Sequence, residues 1–146
     1  MKEFKGRVLA SGVFKGEAVV THQGFNTLAS VQKSAILGAK EIIVSDQNNP
    51  DLFGKNITGK ALCLPITIGS TTGGLCFQTV ASMHIEPACL LFSEHIDSLA
   101  ASGVVLSRVL EGSKMIAIDN LGDEFLKTVK TGDTIEVKED GTVILY

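Results

Sequence analysis

The chain has 146 residues, 45% of them apolar and 20% charged, with 13 basic against 16 acidic side chains. This is the composition of one folded domain with a buried core, and it excludes a disordered chain. A formal charge of −3, with no two Lys or Arg residues adjacent, excludes the clustered basic face that a nucleic-acid binder needs.

The first residues, Met1-Lys2-Glu3-Phe4-Lys5-Gly6, are charged and carry no secretory hydrophobic run. Arg7–Ser11 and Glu17–Thr21 are expected as strands about a turn at Phe14-Lys15-Gly16, and a helical turn is expected near Ser30–Leu37. Glu41–Ser45 is predicted as a strand followed by the turn-rich Asp46–Asp51, and Gly59–Pro65 as a further strand. A small-residue loop, Thr67–Gly74, then leads into a helix over Leu75–Met83. Pro87–Phe92 reads as a strand buried on both faces, and His95–Leu110 as a helix interrupted by Gly103. Lys114–Asp119 is predicted as a strand and Asp123–Val129 as a short helix. Thr134–Lys138 and Thr142–Tyr146 form a hairpin about Asp140-Gly141.

Alternating strands and helices in the middle imply parallel pairing, and the two ends add antiparallel strands. The expectation is an α/β chain. A single three-layer β/β/α domain over residues 1–146 is expected, with a mixed, partly parallel central sheet and a C-terminal β-hairpin. The longest apolar runs, such as Pro87–Phe92, fall far short of the roughly 20 residues that span a bilayer, so no membrane segment is expected. Cys63, Cys76 and Cys89 sit in apolar segments without a Cys-x-x-Cys pair, which predicts reduced, buried thiols in the cytoplasm.

The segment that can carry chemistry is Ile68-Gly69-Ser70-Thr71-Thr72-Gly73-Gly74. It follows a strand and opens a helix, where free main-chain N–H groups and the positive end of the helix dipole converge. The simplest reading is a tight turn with Thr71 or Thr72 as helix cap. A phosphate-binding P-loop is excluded because no Gly-Lys-Ser/Thr follows, and a serine-hydrolase elbow because Ile68 stands where Gly is required. The loop partly resembles that of swivelling phosphohistidine domains, but Gln78 stands near the position of their phosphorylated His, so phosphotransfer is excluded.

A fuller resemblance covers nearly the whole chain. Ile57-Thr58-Gly59-Lys60-Ala61-Leu62-Cys63-Leu64-Pro65 is similar to the "aGkvlvlP" run of the small, swivel-domain subunit of the aconitase X family. Thr67-Ile68-Gly69-Ser70-Thr71-Thr72-Gly73-Gly74 resembles its GxGSxxGS loop, with Thr67 at the first Gly and Gly74 at the last Ser. Asn26–Gln32 departs from the family's Ser-Phe-Trp-Gly-Gly-Val-Asp-like stretch and leaves Asn26 as the polar candidate for a substrate contact there.

The resemblance implies a hydro-lyase shared between two chains and active only when both are present. A large subunit would hold an iron–sulfur cluster or iron centre, and this chain would bind no cofactor alone. The implied partner besides that subunit is a small hydroxy acid. The expected reaction is dehydration of cis-3-hydroxy-L-proline to 1-pyrroline-2-carboxylate, with phosphomevalonate as the alternative substrate. Ser70 is the candidate general base, with Gly69, Thr71, Thr72, Gly73 and Gly74 as substrate-binding residues. A serine hydroxyl is a weak base unless its alkoxide is stabilised, a task suited to N–H groups at a Gly-rich helix entrance. Two other readings stay open: a swivel module that gates a partner enzyme without chemistry of its own, and a free-standing binder using residues 69–74 as an anion nest. His22, His84 and His95 are expected at the surface or as caps. Glu94 is expected at the C-terminal edge of its strand, where sites of α/β proteins gather, but most simply as a solvated acid or a helix N-terminal charge.

Overall fold

The strand Phe14–Val20 (β3) belongs to two sheets at once and thereby sets the architecture. Its first half, Phe14–Glu17, pairs antiparallel with Thr134–Val137 (β9), and its second half, Ala18–Val20, pairs parallel with Ala61–Leu64 (β5). In this computed structural model, which describes every residue except Ser70 and Thr71, the remaining strands extend from it on either side. They are Lys2–Lys5 (β1), Arg7–Ala10 (β2), Cys89–Phe92 (β7), Ile116–Asp119 (β8) and Thr142–Leu145 (β10). Among the described residues the order is β1-β10-β9-β3-β5-β7-β8-β2. The steps β3-β5-β7-β8 are parallel and the others antiparallel. A separate two-stranded pair joins Phe25–Asn26 (β4) to Thr67–Ile68 (β6). Four helices complete the described elements: Thr27–Ile36 (α1), Gly73–Ser82 (α2), Ser98–Glu111 (α3) and Asp123–Thr128 (α4).

The three layers follow from the period-two alternation of the central strands. Leu62, Leu64, Leu90 and Phe92 point to one side, where they pack with Val31 of α1, Phe77 and Val80 of α2, and Val104 of α3. Ala61, Cys63, Cys89 and Leu91 point to the other, against Phe125 of α4 and Ile135, Val137, Val143 and Leu145 of the outer strands. A strand serving two cores must be apolar throughout, and β5 and β7 are buried at every position. This is the mixed α/β arrangement expected from the sequence, and the C-terminal hairpin closes with Gly141 at φ +91°.

Several boundaries differ from expectation. Phe14-Lys15-Gly16 is part of β3, because β9 supplies a ladder for it, and β1 forms where none was expected because β10 offers a free edge. Glu41–Ser45 is not a strand. Ile42 and Val44 are buried and Ile43 turns outward, yet the main-chain partners are Thr58 Oγ1, Ser34 Oγ and the Lys55 carbonyl, leaving one bridge, Ile43 to Asn56. Alternation without a neighbouring strand produces burial but no ladder. Gly103 does not interrupt α3: it lies inside the helix, where α2 passes close against it. No helix among the described residues is long and apolar enough to cross a membrane.

Candidate functional site

The parallel strands end at one rim, and the loop from β5 to α2 lies there. Its first residues are held by main chain: Thr67 and Ile68 pair with Phe25 and Asn26, and Phe25 N–H donates to the Ile66 carbonyl at 2.9 Å. This pairing brings Asn26 against Gly69. Asn26 is the N-cap of α1, its Oδ1 accepting from Ala29 N–H at 3.1 Å. Gly69 has φ +107°, and a Cβ there would sit 2.8 Å from Asn26 Oδ1, so both conformation and space demand glycine.

Between this loop and α3 lies a cleft of about 230 Å³ with Phe77 among its walls and Thr67, Ile68, Gly69, Gly73 and Leu99 around it. Asp97 closes one side. Its Oδ2 caps α3, accepting from Leu99 N–H at 3.0 Å and Ala100 N–H at 3.1 Å, and its Oδ1 accepts from the Thr67 hydroxyl. Helix α2 opens beside the same cleft with no acidic residue in its first turn, so the positive end of its dipole stands uncompensated by its own side chains. Among the described residues lining the cleft none is Lys, Arg or His, and the one carboxylate is already engaged. The described walls of the cleft therefore bring the positive end of the α2 dipole to a negatively charged atom but no cationic side chain.

Ser70 and Thr71, the centre of the expected site, lie outside the described residues. Gly69 and Gly73 line the cleft, and Asn26 touches Gly69 from behind. Thr72 is the residue before α2; it supplies no side-chain cap, and its carbonyl accepts from Cys76 N–H at 3.1 Å. Gly74 is buried in the contact with α3 and does not line the cleft. Glu94 is exposed at the C-terminal edge of β7, its carbonyl taking Asn120 N–H at 3.0 Å. His84 ends α2 with φ +60°, and His22 donates its N–H to Asp51.

A second cluster on the same rim escaped sequence reasoning. The Asp119 side chain is fully buried at the end of β8, where Arg7 grips it with Nε at 2.9 Å and Nη2 at 2.7 Å. Ile96 N–H donates to it at 2.9 Å and His95 Nδ1 lies 3.3 Å away. Burial works against the charge of Asp119. The hydrogen bonds from Arg7 and Ile96 outweigh it and hold the carboxyl below the usual range. The pairing spans 112 residues, and nothing local in the sequence marks it. Asp97 was also missed: the helix expected over His95–Leu110 begins only at Ser98, where an Asp ahead of Ser98-Leu99-Ala100 is an N-cap signal, while its bond to Thr67 has no local mark.

The donor set does not suit an iron–sulfur cluster or an iron ion. Cys63 and Cys89 are buried in the core behind the parallel strands, and burial pushes both thiols up, away from the thiolate form that ligates iron. Half-buried Cys76 is shifted the same way, and the described residues contain no group of three His, Cys, Asp or Glu that could hold a metal.

Residues 3–146 match the sequence model of the aconitase X swivel domain. The phosphomevalonate dehydratase small subunit of Methanosarcina mazei is 27% identical over 135 residues, covering 92% of this chain and 84% of that one. Its counterpart from Methanocaldococcus jannaschii is 26% identical over 142 residues, covering 97% and 95%. In fold, the chain matches the crystal structure of Thermococcus kodakaraensis aconitase X in its holo-form with a TM-score of 0.82 at 24% identity, over 100% of this chain and 99% of that chain.

Proposed function

The chain belongs to the aconitase X swivel-domain family, and from that premise we propose that it is the small subunit of an aconitase X-type dehydratase, a hydro-lyase active only with its large subunit. The observation that carries this reading is the make-up of the cleft. Dehydrating a hydroxy acid develops negative charge on an anionic substrate, which calls for nearby positive groups. The described walls of the cleft contribute no cationic side chain, and in this reading the large subunit supplies it. In this reading the 146 residues act in the cytoplasm as one swivel unit that closes over a substrate held mainly by the large subunit. The iron centre, whether a cluster or a single ion, belongs to that subunit, and no step on this chain runs through it.

The step assigned here is proton abstraction. Ser70 Oγ, as its alkoxide, takes the proton from the carbon next to the carboxylate. Ser70 thereby becomes the neutral hydroxyl, and the C–H electron pair becomes the carbon–carbon double bond. The neighbouring C–O bond breaks with its electron pair leaving on hydroxide, which together with the proton held by Ser70 makes up one water. Main-chain N–H groups of the Gly69–Gly74 segment would stabilise the alkoxide, and Gly69, Thr71, Thr72, Gly73 and Asn26 are assigned to substrate contact, whereas Gly74, buried against α3, is assigned to holding the helix entrance in place. The relatives' names favour phosphomevalonate as substrate. The departure of Asn26–Gln32 from the family pattern favours cis-3-hydroxy-L-proline.

The test is turnover by the chain reconstituted with its cognate large subunit, assayed with each substrate. Ser70→Ala is expected to lower kcat by a factor on the order of a hundred or more with assembly intact. Near-normal turnover of Ser70→Ala would leave the chain a gating module. Turnover of either substrate by the 146-residue chain alone would overturn the two-chain reading.

A further inference from the structure

The outward face of α3 is built the wrong way round for a helix that meets water. Its inward positions, Ala100, Gly103, Val104 and Ser107, are small or slender, whereas its outward positions carry Leu99, Val105, Leu106, Val109 and Leu110, between 39% and 73% exposed. At 100° per residue these five lie on one arc of the helix, shared only with the small exposed Ser98 and Ser102, and no charged residue occurs from Ser98 to Ser107. The two charges that follow are committed elsewhere. Arg108 Nη1 bends back to the carbonyls of Ser11 and Met115, and the Glu111 carboxylate accepts from Gln78.

With Leu75 of α2, which is 61% exposed, these residues present on the order of 550 Å² of surface. That stands at the upper end of the roughly 300–600 Å² of the largest apolar patch on a typical monomer, a patch that is often functional, and it would form the apolar centre of a standard interface of ~800 Å² per partner. The face also runs into the candidate site, because Leu99 belongs both to it and to the wall of the cleft. A chain seated on α3 would therefore cover the mouth of the cleft, which lacks the cationic groups the reaction needs.

We propose that the outward face of α3, with Leu75, is the surface on which the large subunit docks, placing that subunit's substrate against the cleft. This rests on the two-chain reading above and adds where the second chain sits. The experiment measures binding of the full chain to its cognate large subunit by titration calorimetry, with sedimentation of the chain alone alongside. Leu106→Glu and Leu110→Glu are expected to weaken binding about ten-fold or more each, and about a hundred-fold together; Leu110, 61% exposed, is expected to keep the melting temperature, whereas Leu106, 39% exposed, is expected to lower it. Leu106→Ser repeats the test without a charge, and Val13→Glu, an exposed apolar site in the β2–β3 loop, is expected to bind like the wild type. Wild-type affinity in the Leu106→Glu/Leu110→Glu double variant overturns the docking surface while leaving the functional reading standing. A wild-type chain that dimerises through this face, with large-subunit binding indifferent to the changes, makes a second copy the occupant and overturns it also. No binding by the wild-type chain at all removes the functional reading and this surface together.

Discussion

Gly74 of α2 and Gly103 of α3 meet backbone to backbone. A Cβ placed on Gly103 would fall 2.6 Å from the Gly74 carbonyl oxygen, and one on Gly74 would fall 2.6 Å from the Leu99 carbonyl oxygen. The two helices can approach this closely only because neither residue has a side chain, and the approach sets where α2 begins and hence where Gly73 faces the cleft.

Gly103→Ala tests this contact. In an isolated helix the change gains about 1 kcal/mol of propensity. Here the added methyl meets backbone that cannot rotate away, an overpacking that costs about 1–3 kcal/mol. We expect net destabilisation in urea unfolding, whereas Ser102→Ala on the exposed side of the same helix is expected to be neutral or stabilising. A stabilised Gly103→Ala chain would mean that the helices part readily.

The Arg7–Asp119 pair predicts a pH dependence. The native carboxyl is held below its unfolded value, so its contribution is complete above the ordinary carboxylate range of about 4 and is lost as pH falls through the native value. Asp119→Asn should lower the melting temperature at neutral pH, and the gap to the wild type should close as the pH is taken down towards about 2. A gap that stays constant with pH would separate the stability of this corner from the charge.

Asn26 has a demonstrable structural role as the cap of α1 and a proposed one towards substrate, and two substitutions separate them. Asn26→Ala removes the cap acceptor and should cost about 1 kcal/mol of stability. Asn26→Asp keeps an acceptor for Ala29 N–H and should keep that stability. Loss of turnover in Asn26→Asp with an unchanged melting temperature would mark a substrate contact, and full turnover would leave the residue a cap.

The cysteines differ in reach. In the folded chain iodoacetamide should modify half-buried Cys76 before Cys63 or Cys89, which should react only once urea opens the core. Mass spectrometry of tryptic peptides reads the order directly.

The strands most fully legible in the sequence are those that serve two cores. Cys89–Phe92 and Ala61–Leu64 are buried at every position, and a strand with apolar neighbours on both sides must show an unbroken apolar run. The hairpin at Asp140-Gly141 was equally plain, because its turn chemistry is local. The loop after β5 was visible as a run of small residues, and with it the residues assigned to substrate.

Other features depended on partners far along the chain. Lys2–Lys5 is a strand because β10 lies beside it, and Glu41–Ser45 is not one because no strand does. Gly103 breaks nothing because Gly74 occupies the space its missing side chain leaves. What the amino-acid order determined by itself was the set of local events: alternation, turn chemistry and the Gly-rich entrance to a helix. Which edges found a neighbour, that Asp119 would be buried under Arg7, and that a helix would keep its apolar side outward were decided only in three dimensions. Each depends on surfaces and charges that sequence separation hides and folding brings within a few ångströms.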